Sequence, residues 1–225
     1  MSLLADALLL ARKDLLVEAR SRQAIAIALA LAGIALVLVG LAVGPDPNRL
    51  RDLAPAVVWI ALLYAAIAVA ERLERIDRAD DAFSGLWLVL ADRRSIYIGR
   101  ILSLGTVLAF LQVAIWVAAA LVLDLPMRPE AVALVPLAAL TAITTATAAA
   151  LTLALVADAR HRALLLPIVL LPLLVPTFLA GVQGSSAVLD GRLGDAMSWA
   201  ASLLIEAALF AGVGLLTYET AASPD

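Results

Sequence analysis

The chain has 225 residues, of which 64% are hydrophobic and 16% are charged, and its mean hydropathy is +1.03. Soluble domains contain about 45–50% apolar and about 25% charged residues, so the composition excludes an ordinary soluble domain. The net charge is only −3, and the absence of cysteine excludes disulfides, thiolate metal sites and thiol catalysis.

The N-terminal segment, residues 1–22, alternates apolar and charged positions at helical spacing. Leu4, Leu8 and Leu15 fall on one face with Ala11 between them, while the charged residues lie largely elsewhere. This pattern predicts an amphipathic helix that lies in the membrane interface. A solvated N-terminal helix with no membrane role is the alternative.

Six apolar segments follow, separated by proline, glycine or charged residues. They cover residues 23–43, 53–70, 97–123, 131–157, 163–182 and 196–217. A transmembrane helix needs about 20 predominantly apolar residues, and each segment is close to or above that length. The Gly- and Ser-rich stretch between the last two segments is predicted to be a loop. The sequence therefore predicts an all-α polytopic membrane protein with six transmembrane helices in a single domain, residues 1–225.

Positive charges are distributed unevenly between the two ends of these segments. Twelve of the 16 Lys and Arg residues lie before the first segment, between the second and third or at the start of the third, or between the fourth and fifth. The other four are Arg49, Arg51, Arg128 and Arg192. Because cytoplasmic loops carry an excess of Lys and Arg, this bias predicts that both termini and the connection between the second and third segments are cytoplasmic.

The most highly charged connection, residues 71–95, joins the second and third segments. Its first part contains oppositely charged residues three or four positions apart, which support a helix leaving the bilayer. Asp80 or Asp81 can then cap a short helix whose apolar face recurs at i, i+3, i+4 and i+7. That face consists of Phe83, Leu86, Trp87 and Leu90. The short helix either lies at the lipid headgroups, with Trp87 as an anchor, or docks into a groove of a cytosolic partner.

Few residues in this chain could support catalysis or bind a cofactor. Lys13 is the only lysine and stands in "ARKD", so the chain has no P-loop for a nucleotide. His161 is the only histidine, and it is interpreted as a surface residue beside two arginines rather than a haem ligand. The sequence therefore predicts a non-enzymatic chain with no catalytic residue, no metal site and no directly bound cofactor.

Two features inside the apolar segments are candidates for function. Glu206 falls near the middle of the sixth segment, where a carboxyl is costly unless it is protonated or paired. It is either a proton- or substrate-sensing group that faces the interior or a protonated side chain hydrogen-bonded to Thr144 or Thr145. The fifth segment contains three prolines, which are predicted to bend or break it, as a gating element or as a static kink. They are Pro167, Pro172 and Pro176.

The order of these parts resembles the permeases of ABC-2 type exporters, which have an N-terminal interfacial helix, six spans and a cytoplasmic coupling helix. Two stretches are similar to the haem exporter protein B (CcmB) family, the permease of cytochrome c maturation: "RKDLLVEARSRQ" and "GPDPNRLRDLAPAVVWIALLYAAIAVAERLERIDRADDAFSGL". The second stretch holds a "GP" turn followed by a Pro-x-x-x-Trp pattern, here Pro55 and Trp59. "LPIVLLPLLVPTFLAGV" (166–182) resembles the family's proline-containing fifth span. The chain departs from the family pattern after its acidic stretch, because "FSGLWLVLADRRS" has no proline and no glutamate.

The resemblance implies a membrane permease subunit of an ABC transporter complex in the bacterial inner membrane. The coupling helix within residues 71–95 would contact a cytosolic ATPase subunit. ATP hydrolysis there would drive haem delivery or release of a haem-loaded periplasmic chaperone. Further implied partners are a haem-handling membrane protein and a second permease copy or a permease pair, surrounded by membrane lipid and without nucleic acid. ATP and haem would belong to the wider complex rather than to this chain.

Other functions also fit the residues. A permease of another ABC-2 exporter, for lipid, polysaccharide or drug, has the same order of parts. A membrane scaffold without transport and a proton-coupled carrier that uses Glu206 are alternatives from different classes of protein.

Overall fold

A computed structural model describes residues 3–79, 94–125, 129–156 and 162–220. Within these ranges the chain is helical and contains no strand. The helices, numbered here in chain order, are α1 Leu3–Ser21, α2 Gln23–Val43, α3 Pro47–Ala79, α4 Arg94–Val122, α5 Leu134–Leu155, α6 Arg162–Leu189 and α7 Leu193–Thr220, with a short 3-10 helix, Pro129–Ala133, before α5.

Six of these helices, α2 to α7, are long and apolar enough to cross a membrane. This confirms the predicted all-α polytopic membrane protein with six transmembrane helices. The remaining helix, α1, has two different faces: Leu4 and Leu8 are 63% and 60% exposed, whereas Ala7 and Ala11 are buried. A helix is therefore present where the interfacial helix was predicted, and its position in the interface stays a prediction.

The sequence "GPDP" accounts for the turn between α2 and α3. α2 ends at Val43 and is capped by Gly44, whose φ of 73° is favourable for glycine. Asp46 then caps α3, because its Oδ1 accepts a hydrogen bond from the N–H of Asn48 at 3.1 Å. Pro47 occupies the first position of α3, where no helical N–H donor is needed.

The structure corrects the predicted end of the fifth segment, because α6 extends to Leu189. α6 also remains helical through its three prolines, so the predicted break is absent, while the predicted bend stays a prediction. The stretch "QGSSAVL", predicted as part of a loop, is therefore helical. Its small residues permit close packing: a Cβ at Gly184 would lie 3.1 Å from the side chain of Leu137 and 3.3 Å from that of Trp199. Only residues 190–192 separate α6 from α7.

The core of the bundle lies around α3, α4 and α5. In the apolar stretches of α3 and α5, 61% of the residues are buried, compared with 17% for α2 and for α7. α4 approaches α5 closely at Gly105, where a Cβ would lie 3.6 Å from the Cβ of Ala146. On α5, the hydroxyls of Thr144 and Thr152 donate to carbonyls of their own helix at 2.9 and 2.8 Å. These hydroxyls are therefore already hydrogen-bonded within α5 and need no partner from another helix. The rest of this surface consists largely of alanine.

Candidate functional site

The predicted coupling helix lies outside the described residues. Its site residues all fall within 80–93: Asp80, Asp81, Phe83, Leu86, Trp87 and Leu90. The structure does describe the two helices that border this segment, α3 up to Ala79 and α4 from Arg94. We call this end of the bundle the loop end and the opposite end the far end. α1 contacts both bordering helices, which makes the loop end the candidate functional site.

α1 packs so closely on α4 that its backbone touches Gly99. A Cβ at Gly99 would lie 2.9 Å from the Cβ of Leu10 and 3.0 Å from the carbonyl oxygen of Ala7. One turn further along α4, the Oγ of Ser103 lies 3.5 Å from a carboxylate oxygen of Asp14. Residue 99 must therefore stay small for α1 to lie against the first third of α4.

A shielded ion pair joins α1 to α3. Nε of Arg72 lies 3.0 Å from Oε2 of Glu18, and Nη1 of Arg72 donates to Oε1 of Gln23 at 2.9 Å. The side chains of Glu18 and Arg72 are only 10% and 16% exposed. Because Gln23 is the first residue of α2, the guanidinium of Arg72 connects three helices at the loop end.

These contacts form one cluster, which we call the α1 junction. It consists of Asp14, Glu18, Gln23, Arg72, Gly99 and Ser103. A small cleft between α1, α3 and α4 adjoins the cluster, with Val69 and Leu104 among its apolar lining residues. A displacement of the end of α3 or the start of α4 must either break these contacts or move α1 and α2. The arrangement is therefore suited to transmitting a displacement.

The α1 junction was not predicted from the sequence. The signal for it lies on the face of α1 next to the exposed Leu4 and Leu8. Ala7, Ala11, Asp14 and Glu18 recur at i, i+4, i+7 and i+11, so that two small and two acidic residues share one helical face. The structure buries this face wholly or in part against α4 and α3.

Trp59 of the Pro-x-x-x-Trp pattern fixes α3 to α6. Its Nε1 donates to the Oγ of Ser185 at 3.2 Å, and both side chains are buried. A Cβ at Gly181 would lie 2.7 Å from the indole ring, so that only glycine leaves room for it. The ring of Phe178, also in α6, has its centroid 6.2 Å from that of Trp59.

Tyr97 fixes the beginning of α4 to two other helices. Its fully buried hydroxyl donates to the carbonyl of Phe210 in α7 at 2.9 Å and lies 3.3 Å from the carbonyl of Thr147 in α5. A Cβ at Gly214 would lie 2.1 Å from the Tyr97 hydroxyl, which excludes any larger residue there without rearrangement. The start of α4 is thus attached to α1, α5 and α7.

Glu206 lies at the interface of α6 and α7. The hydroxyl of Thr177 donates to its Oε2 at 2.8 Å, and Glu206 is half-buried whereas Thr177 is fully buried. The expected hydrogen bond to Thr144 or Thr145 of α5 is therefore wrong. Thr144 instead donates within α5 and lies 3.1 Å from the carbonyl of Leu203. The partner comes from α6 because that helix borders the edge of α7 on which Glu206 stands.

Two of the three α6 prolines lie on the outer surface of the bundle. Pro172 and Pro176 are exposed, and Pro167 is half-buried. Ile168 and Val175 on the same surface are each 63% exposed. Since α6 remains helical, the role of these prolines as a gating element or a static kink stays a prediction.

A chain of charges connects α3 to the turn between α6 and α7 at the far end. Arg51 donates to the carbonyl of Leu189 and, at 2.9 Å, to Oδ1 of Asp190. Arg192 pairs with Asp190 at 3.1 Å and with Asp195 at 2.5 Å. Hydrogen bonds to Asp190 and then to Asp195 raise the pKa of Arg192. These side chains are substantially exposed, so each pair contributes little to stability.

The described residues contain no group of three or more His, Cys, Asp or Glu side chains that could hold a metal ion. His161, the only histidine of the chain, lies outside them.

Six membrane-crossing helices, with an N-terminal helix packed across the loop end, define the class: a multi-pass α-helical membrane protein. The chain belongs to the CcmB protein family, whose model matches residues 5–224. The match includes most of α1 and all six candidate spans, so the family extends over nearly the whole described fold.

Individual relatives agree with the family match. Heme exporter protein B of Pseudomonas aeruginosa is 31% identical over 167 residues, which are 72% of this chain and 73% of that protein. Heme exporter protein B of Escherichia coli K12 is 29% identical over 63 residues, 28% of this chain and 29% of the relative. The Haemophilus influenzae protein of the same name is 42% identical over 48 residues, 21% of this chain and 22% of the relative. The resemblance inferred from local sequence is thereby confirmed.

Proposed function

We propose that the chain is the membrane permease subunit of an ATP-driven complex that serves haem export in the maturation of c-type cytochromes. The observation that carries this proposal is the family match over residues 5–224, together with relatives named heme exporter protein B. The fold supports it, because six spans and an N-terminal helix are the parts that an exporter permease requires.

The ATP-hydrolysing component is a separate subunit. The chain has one lysine, Lys13, which lies in α1 and pairs with Asp14 at 3.3 Å, so no P-loop lysine remains to hold a nucleotide. No cofactor is bound directly by this chain, and ATP and haem belong to its partners. Those partners are a cytosolic ABC ATPase, a haem-handling membrane protein, a periplasmic haem chaperone and a second permease copy or a permease pair. ATP hydrolysis drives either haem delivery or the release of the loaded chaperone.

The ATPase contacts the cytoplasmic segment 71–95. Its docking residues are Asp80, Asp81, Phe83, Leu86, Trp87 and Leu90. The α1 junction supports this assignment, because both helices that border the segment are fastened to α1. A movement of the ATPase would then reach α1, α2, α3 and α4 together.

The orientation in the bacterial inner membrane follows the positive charges. Twelve of the 16 Lys and Arg residues precede the first span, lie between the second and third or at the start of the third, or lie between the fourth and fifth. Because positive residues are retained on the cytoplasmic side, the loop end and both termini are cytoplasmic. An even number of spans is consistent with this arrangement, since it returns the chain to the side on which it began.

Co-purification of the ATPase from native membranes tests the coupling. Replacing Phe83, Leu86 and Trp87 with Ala should abolish the association while membrane insertion stays intact. Leu88→Ala with Val89→Ala is the matched control, because both residues fall outside the predicted apolar face. Equal association of the two variants with the ATPase would contradict the proposed docking face.

The cellular role is tested separately by deleting the gene. Spectra of membranes from the deletion strain should lose the signals of c-type cytochromes, and the unaltered gene should restore them. Normal cytochrome levels in the deletion strain would contradict the proposed function and favour export of a different substrate.

A further inference from the structure

Glu206 lies near the middle of a candidate membrane span. It stands 13 residues after the start of α7 and 11 residues before Thr217, the end of the candidate span. At 1.5 Å per residue, each end of the span is about 17–20 Å away along the helix, several times the length of a glutamate side chain. The carboxyl must therefore find its hydrogen-bond partners inside the membrane.

The subunit supplies only part of what the carboxyl requires. Oε2 accepts from Thr177 at 2.8 Å, but Oε1 has no hydrogen-bond partner among the described residues. The requirement is for further donors, because a carboxylate accepts several hydrogen bonds and Thr177 supplies only one. Glu206 is only half-buried, and its neighbours Ile205 and Leu209 are 68% and 57% exposed. The unsatisfied side of the carboxyl therefore lies at the surface of the bundle.

Two carbonyls of α6 also lack their usual helical hydrogen-bond donor. A proline has no N–H, so the carbonyl four residues earlier loses its usual helical donor. Pro172 and Pro176 affect the carbonyls of Ile168 and Pro172 in this way, and all three residues are exposed. Lipid chains offer no donor to such carbonyls. The rim formed by α6 and α7 thus combines exposed apolar side chains with several acceptors.

We propose that this rim, defined by Ile168, Pro172, Pro176, Glu206 and Leu209, docks a transmembrane helix of a different subunit that carries hydrogen-bond donors at mid-membrane depth. A second copy of this chain fits less well, because twofold packing on α7 would place one acceptor-rich surface against another. Donors such as arginine, tryptophan, asparagine or serine on the partner helix complement the rim. The inference rests on the proposed function in one respect, since that function requires a partner membrane subunit.

Site-specific photo-cross-linking in native membranes tests the docking surface. With p-benzoylphenylalanine in place of Leu209, irradiation should yield an adduct between this chain and a different membrane protein. The matched control carries the same probe in place of Leu38, which is 60% exposed on α2 compared with 57% for Leu209. An adduct with a second copy of the chain, no adduct at all, or the same adduct from both positions would overturn the proposal.

Substitutions of Glu206 provide an independent measurement. Glu206→Leu should reduce the co-purified membrane partner at least about tenfold, the usual effect of losing a hydrogen bond to a charged group. Glu206→Gln keeps an acceptor oxygen and should retain a larger share of the partner. Thr177→Val removes only the internal hydrogen bond, so the partner should remain. Equal losses in Thr177→Val and Glu206→Leu would assign Glu206 a role inside the subunit and refute the docking surface.

The same purification separates this inference from the proposed function. If the ATPase co-purifies with the unaltered chain but no adduct forms from position 209, only the docking surface is refuted. If neither the ATPase nor any membrane partner co-purifies, the proposed function itself fails.

Discussion

Breaking the shielded ion pair between Glu18 and Arg72 should destabilise the protein. We expect Glu18→Gln to cost about 3 kcal/mol, the lower end of the range for removing one partner of a buried pair. The lower end applies because the Arg72 side chain is 16% exposed and also donates to Gln23, so its charge keeps a polar neighbour. Arg72→Gln should cost a similar amount. The double variant should be less destabilised than the sum of the single variants by about 1 kcal/mol or more, because the lost interaction is counted once.

Reversible unfolding of the purified protein in detergent, followed by circular dichroism, measures these free energies. Arg49→Gln is the matched control, since the ion pair between Arg49 and Asp46 has a similar separation of 3.2 Å but side chains that are 76% and 44% exposed. An exposed pair contributes about 0–1 kcal/mol, so this variant should unfold almost as the unaltered protein does. A loss for Glu18→Gln no larger than that of the control would refute the role of the pair in the α1 junction.

Two further predictions concern buried positions of the bundle. Gly214→Ala should lower the unfolding midpoint, because a Cβ there would lie 2.1 Å from the hydroxyl of Tyr97 and overpacking costs about 1–3 kcal/mol. Gly212→Ala, where a Cβ would meet nothing within 4 Å, should leave the midpoint unchanged or raise it, and equal losses in both would contradict the Tyr97 contact. Gln112→Leu should raise the free energy of unfolding by about 1–3 kcal/mol, and with it the midpoint, because it removes a fully buried amide without a hydrogen-bond partner among the described residues. A lower midpoint for Gln112→Leu would indicate that this amide is satisfied.

The six spans could be predicted because the membrane imposes a simple rule on sequence. Backbone groups in lipid must bond within the helix, so long apolar segments identify the spans directly. The rule is less informative at helix ends. Gly184 and Ser185 have the composition of a loop, yet they extend α6 because small residues there accommodate Leu137 and Trp59.

Contacts between helices could not be predicted from the order of the segments. Apolar faces of transmembrane helices do not reveal their neighbours, because lipid and protein are similarly apolar surroundings. For this reason Thr144 was a reasonable partner for Glu206, and only the placement of α6 beside α7 identifies Thr177. Similarly, the charges of Glu18 and Arg72 are visible in the sequence, but their 3.0 Å approach depends on how α1 crosses α3.

Tyr97 gives α4 a pivot. It is the fourth residue of a helix of 29 residues, and its hydroxyl is bonded to the backbone of α7. Such a helix is about 40 Å long, so a tilt of about 5° around Tyr97 would carry its opposite end about 3 Å sideways. A small displacement of the start of α4, next to segment 80–93, would then become a larger displacement at its opposite end. The internal hydrogen bonds of the helix would stay intact.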